Sequence, residues 1–161
     1  MGERAPGKRR CIVKLTLDKA AAGGLGHQAE HERRIAIFEL LEKNRFALSG
    51  RGGPYHVHIA VAEGRLAFAI NDPRERHLAT VLLPITPFRR LMRDYFIVRE
   101  SYYEAIKRAN PSRIETIDVG RRSLHDEGAE LLRKLLAEKV EIDFDTGRRL
   151  FTLLTLFHVR G

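Results

Sequence analysis

At 161 residues and 18.4 kDa, with 43% hydrophobic and 31% charged side chains, the chain suits one domain with a substantial core and is too apolar for a disordered polymer. Its longest apolar stretch, from Leu150 to Val159, is about half the roughly 20 residues of a membrane-spanning helix. Its one cysteine, Cys11, excludes internal disulfides and multi-cysteine metal sites. The net charge of +8 comes from 22 Arg and 7 Lys. Residues 1–62 hold 11 basic against 6 acidic side chains and residues 86–113 hold 7 against 3, while 114–161 holds 8 against 9. Such an excess assists binding to anions without amounting to a polybasic tract.

Met1 to Arg10 mixes Gly, Pro and charge without periodicity and reads as a disordered basic tail. Lys14, Asp18 and Lys19 interrupt any signal-peptide core, and Pro6 occupies the position where a myristoylation signal needs Ser or Thr. A cytoplasmic location without membrane attachment is the expectation. Cys11 to Leu17 alternates as a strand, and Ala20 to Gly26 is a loop of small residues. Ile35, Ile37, Phe38 and Leu41 mark an amphipathic helix over about residues 29–44.

After Arg51-Gly52-Gly53-Pro54, three strands form a meander. Tyr55 to Ala62 turns at Glu63-Gly64 into Leu66 to Ile70, and Asn71-Asp72-Pro73 leads to Leu78 to Leu83. Thr86 is the expected N-cap of a helix with Pro87 in its first turn, ending before Asn110-Pro111. Arg99 falls within the apolar stripe of that helix, which includes Tyr95, Tyr102, Tyr103 and Ile106. A snorkelling Arg99 is the favoured reading over a cross-fold ion pair. Ser112 and Glu115 suggest a capping box, opening a helix to about Ala137 with a break or restart near Gly120 or Ser123. Val140 to Phe144 alternates as a short strand, and Asp145 is the expected cap of a last helix to about His158.

The order β-α-β-β-β-α-α-β-α implies an α+β fold. A single domain over residues 11–161 would carry four to five short, mostly antiparallel strands with about four helices on one face.

Five Arg-Arg pairs punctuate the chain, at positions 9, 33, 89, 121 and 148. The pairs Arg89-Arg90 and Arg148-Arg149 fall in expected first turns of helices. Positive side chains are unfavourable there unless an acid or a bound anion answers them. Gly120 to Gly128 is the most site-like run, placing Arg121, Arg122, His125, Asp126 and Glu127 within two helical turns. Guanidinium forks of this kind hold phosphate or carboxylate, and His125 would add charge below neutral pH. The bland alternative is local pairing with Asp118 or Asp126. The candidate anion site is therefore Arg89, Arg90, Arg121, Arg122, His125, Arg148 and Arg149, with His31, Arg33, His58 and Glu127 as secondary candidates.

Other chemistry finds little support. His27 and His31, with His56 and His58, could approach a zinc site, but no acidic pattern completes a zinc motif. No nucleophile elbow, Walker loop or dinucleotide loop is present. No metal and no cofactor is expected.

The run Thr86-Pro87-Phe88-Arg89-Arg90-Leu91-Met92-Arg93-Asp94-Tyr95-Phe96, with Ser101 to Ile106, resembles an uncharacterised family of small alphaproteobacterial proteins of the UPF class. His31-Glu32-Arg33, Gly52 to Tyr55, Gly120 to Gly128 and Asp143 to Thr152 extend the resemblance over most of the chain after residue 28. His58 and His125 belong to the resembling pattern; His27, His56 and Arg99 do not. The resemblance implies a cytoplasmic single-domain protein and supplies no activity, cofactor or catalytic residue.

Three functions fit the residues. One is a binding or regulatory module for an anionic partner, whether RNA, nucleotide or an acidic protein face. The second is an enzyme of a small phosphorylated or carboxylated metabolite, with His58 or His125 as acid/base. The third is an interaction protein whose Arg pairs are neutralised internally, and a homo-oligomer is compatible with it.

Overall fold

A computed structural model describes residues 9–18 and 27–157. Most of the expected tail, the loop from Ala20 to Gly26 and the chain after Phe157 lie outside the described residues. The elements are β1 (Ile12–Leu17), α1 (His27–Glu42), β2 (Phe46–Leu48), β3 (Tyr55–Ala62), β4 (Arg65–Asn71), β5 (His77–Pro84), α2 (Thr86–Lys107), α3 (Pro111–Leu136), β6 (Val140–Ile142) and α4 (Phe144–Leu154). The order agrees with the sequence pattern and adds one three-residue strand, β2.

Four strands form a sheet in the order β1-β3-β4-β5, and β2 pairs with β6 in a separate antiparallel ribbon. Only β1 and β3 are parallel, as the crossover through α1 requires; β3-β4 and β4-β5 are antiparallel. Alternation sets the register. Val57, Ile59, Leu66, Phe68, Ile70, Val81 and Leu83 point inward and are buried. Glu63 and Gly64 both have positive φ, the geometry of a tight hairpin turn that matches strand twist. Tyr55 is fully buried, and its hydroxyl donates to the Arg51 carbonyl while accepting from Leu48 N–H. Asn44 bonds both backbone groups of Ile12 and so joins the end of α1 to β1. Arg10, at the end of the basic tail, accepts from Phe46 N–H.

Helix starts depart from the expected caps. Thr86 is inside α2, because the carbonyl of the buried Ile85 already accepts from Phe88 N–H. Asn110, not Ser112, caps α3 through Arg113 N–H. That helix passes Gly120 unbroken. Asp143, not Asp145, caps α4 through Thr146 N–H at 2.9 Å. The pair Arg148-Arg149 consequently falls in the second turn, clear of the positive helix end. Tyr102 and Tyr103 are half-buried, and Ile106 is exposed, so the core stripe of α2 is shorter than its sequence suggests.

Two glycines bring α3 and α4 close. A Cβ on Gly128 would lie 2.4 Å from the Phe151 ring, and one on Gly147 would lie 3.2 Å from the Ala129 carbonyl oxygen. This approach sets the positions of His125 and Arg148.

Candidate anion-binding cavity among four helices

A cavity of about 460 Å³ opens between α1, α2, α3 and α4. Helical spacing supplies its walls: Glu32, Ile35, Ala36 and Glu39 follow one face of α1, while Asp145, Arg148, Arg149 and Thr152 follow one face of α4. Tyr95 and Arg99 enter from α2; Arg121, Arg122 and His125 enter from α3.

Five of the seven principal candidates thus meet in one place. Arg89 is exposed on α2 outside the cavity. Arg90 is also outside it and is answered by protein acids, with Asp94 at 3.2 Å and Glu127 at 2.9 Å. The secondary candidates lie elsewhere. His31 is exposed, Arg33 pairs with Glu30, and Glu127 is taken by Arg90. His58 is exposed on the sheet, with its Nδ1 2.6 Å from the Thr16 hydroxyl, and does not line the cavity.

Sequence reasoning missed three lining residues of consequence. Arg99 does not snorkel: it is 8% exposed, and its Nη1 donates to Glu32 on α1 at 3.3 Å, with the guanidinium 5.4 Å from the Phe96 ring centroid. An acid 67 positions away makes burial of this cation tolerable. Glu32 has a carboxyl pKa above the ordinary value, because burial outweighs the lowering effect of Arg99 and Arg121. Tyr95 packs against His125 with ring centroids 4.8 Å apart.

The remaining cations differ in how well they are answered. Asp118 holds Arg121 at 2.6 Å and Arg122 at 2.9 Å, and the Arg121 guanidinium also lies 4.8 Å from the Tyr102 ring centroid. Arg149 donates to the Lys43 carbonyl at 3.4 Å. Arg148 approaches Asp126 only to 3.6 Å, beyond hydrogen-bonding range. The Nε atoms of Arg121 and Arg148 are both buried without a hydrogen-bond partner, as is that of Arg33 outside the cavity. Among the described residues, five guanidinium groups and three carboxylates line the cavity, while Asp118 and Asp126 answer from outside it.

His125 reports the local field. Burial and then the charges of Arg148 and Arg121 lower its pKa from 6.5 to about 4, against smaller opposing effects from Asp126 and Asp118. The ring is therefore neutral at pH 7, and the charge expected of it below neutral pH is gained only in acid, at about 4. Its tautomer follows from hydroxyl bookkeeping. Thr152 donates its one proton to the Arg148 carbonyl at 3.0 Å, so it accepts from His125 Nε2–H at 2.9 Å. That leaves the Nδ1 lone pair of His125 as an acceptor.

The family model for an uncharacterised protein family, UPF0262, matches residues 9–160. The chain belongs to the UPF0262 family. UPF0262 proteins similar to it include one from Rhodopseudomonas palustris strain BisB18, 51% identical over 95% of this chain and 94% of the relative. Another, from Nitrobacter winogradskyi, is 49% identical over 95% of this chain and 92% of its own length. A third, from Rhizobium etli, is 54% identical over 82% of this chain and 85% of its own length. No solved structure matches the chain. Among the described residues no helix is long and apolar enough to cross a membrane.

Proposed function

We propose that this UPF0262 protein is a binding module for a small anionic ligand carrying a phosphate or carboxylate group, held in the four-helix cavity by Arg121 and Arg148. The observation that carries the reading is that Arg121 and Arg148 line one cavity beside His125 and each keeps a buried Nε with no hydrogen-bond partner. There, two guanidinium groups from different helices outweigh the nearby carboxylates, and one of them has no hydrogen-bonded acid. A bound anion would supply the acceptor that Asp126 fails to provide to Arg148. A cavity of about 460 Å³ suits a small molecule rather than a folded RNA or protein face.

The Nδ1 lone pair of neutral His125 would accept from a monoprotonated phosphate, and Arg122 and Arg149 would flank the anion. Arg89 and Arg90 have no part in this reading. Calorimetric titration of the full chain with inorganic phosphate at low and high salt tests it. Saturable binding should weaken with added salt and drop about tenfold or more in Arg148→Met, which keeps the aliphatic stem. Absence of binding at millimolar phosphate, or equal affinity in wild type and Arg148→Met, would refute it.

A further inference from the structure

The cavity is larger and less polar than an inorganic anion needs. Its volume is about 460 Å³, whereas the cations that would grip an anion cluster around His125. On the α1 wall the lining includes two apolar residues, Ile35 and Ala36, between Glu32 and Glu39. Ile35 is 43% exposed, a large apolar side chain that lines a basic site instead of joining the core. Phe38, three residues on and therefore on the adjoining face of the same helix, is 64% exposed. Single exposed apolar residues are ordinary. Two at helical spacing, the first of them lining the same cavity as the cations, make an apolar shelf.

The shelf is bounded by charge at both ends. Along α1, Glu32, which pairs with Arg99, precedes Ile35 and Ala36, and Glu39 follows them. We infer that the ligand is an organic anion with an apolar body: an aryl or short-chain alkyl phosphate or carboxylate. Its anionic group lies between Arg121 and Arg148, and its hydrocarbon part lies over Ile35 and Ala36 toward Phe38. The inference rests on the anion-site reading and narrows it to a ligand class. It also gives the carboxylates of α1 a role, since Glu32 and Glu39 disfavour a second anionic group at either end of the shelf. A singly headed ligand is selected over a bis-phosphate.

The test compares phenyl phosphate, inorganic phosphate and benzyl alcohol by calorimetry on the full chain, in wild type, Ile35→Asn and Arg148→Met. Phenyl phosphate should bind about tenfold more tightly than inorganic phosphate, equivalent to about 1.4 kcal/mol, and benzyl alcohol should bind far more weakly than either. Ile35→Asn should bring phenyl phosphate to the affinity of inorganic phosphate while leaving the latter unchanged. Because Ile35 is half exposed, that variant should fold. Equal affinities of the two phosphates in wild type would overturn the inference and leave the anion site standing. Binding of neither would remove both. An advantage of phenyl phosphate that survives Ile35→Asn would place the apolar body elsewhere and also overturn the inference.

Discussion

Replacing Arg99 with Met tests the arrangement at the inner end of the cavity. The Arg99 side chain is 9% exposed and that of Glu32 is 25% exposed, so neither charge has water as its principal partner. Breaking a buried pair from one side costs about 3 to 5 kcal/mol. Partial exposure of Glu32 and the nearby Arg121 bring the expectation for Arg99→Met to about 2 to 3 kcal/mol at pH 7.5. The loss should depend on pH with a definite sign. Glu32 already has a folded-state pKa above 4.5, so its contribution to stability is full below pH 4.5 and is lost as pH rises through the folded value. Removing Arg99 raises that value further, which makes the deficit of the variant large at pH 7.5 and small near pH 4.5. The double variant Glu32→Gln/Arg99→Met removes both charges and should lie within about 1 kcal/mol of wild type. Urea unfolding at pH 7.5 and pH 5, with an unchanged m-value, measures all of this. A single variant within about 0.5 kcal/mol of wild type at both pH values would show that Arg99 and Glu32 do not depend on each other.

The close approach of α3 and α4 predicts that Gly128→Ala is destabilising by about 1 to 3 kcal/mol through overpacking against Phe151, whereas Gly120→Ala, with open space around its Cβ, should stabilise by up to about 1 kcal/mol in thermal melts. Asp143→Ala should cost about 1 kcal/mol through loss of the α4 cap, and Asp145→Ala should cost less, as read by the same melts. NMR titration of His125 should show a midpoint of about 4 and no protonation step between pH 6 and 8. Because its folded pKa lies below 6.5, this group's stabilising contribution is complete above 6.5 and is lost as pH falls toward 4, so His125→Gln should flatten the acid limb of the stability profile.

Much of the fold follows from patterns of short range. The β3-β4 hairpin is legible because strict alternation and Glu63-Gly64 agree on one register. Strand β2 is hidden because Phe46-Ala47-Leu48 is too short to show a period and is recruited by Val140–Ile142 far along the chain. The caps shift by two residues where Asn110 and Asp143, each also a good N-cap, compete with Ser112 and Asp145; local rules rank such neighbours equally. The site divides in the same way. Arg121, Arg122 and His125 are adjacent in sequence and therefore visible as a cluster. The acid that answers Arg99 is 67 residues away, and the one that takes Arg90 out of contention is 37 away. Desolvation of His125 depends on packing against Tyr95 and Phe151, which spacing alone does not encode. A neutral imidazole between two guanidinium groups is a property of the assembled helices.

His125 offers the most direct measurement of whether an anion occupies the space between Arg121 and Arg148. On addition of inorganic phosphate at low ionic strength, its NMR titration midpoint should rise well above about 4 as the added negative charge offsets the field of the two cations. Arg148→Met should raise the midpoint without phosphate and abolish the phosphate effect. A midpoint that stays where it was at saturating millimolar phosphate, in a folded wild-type protein, would contradict the anion site.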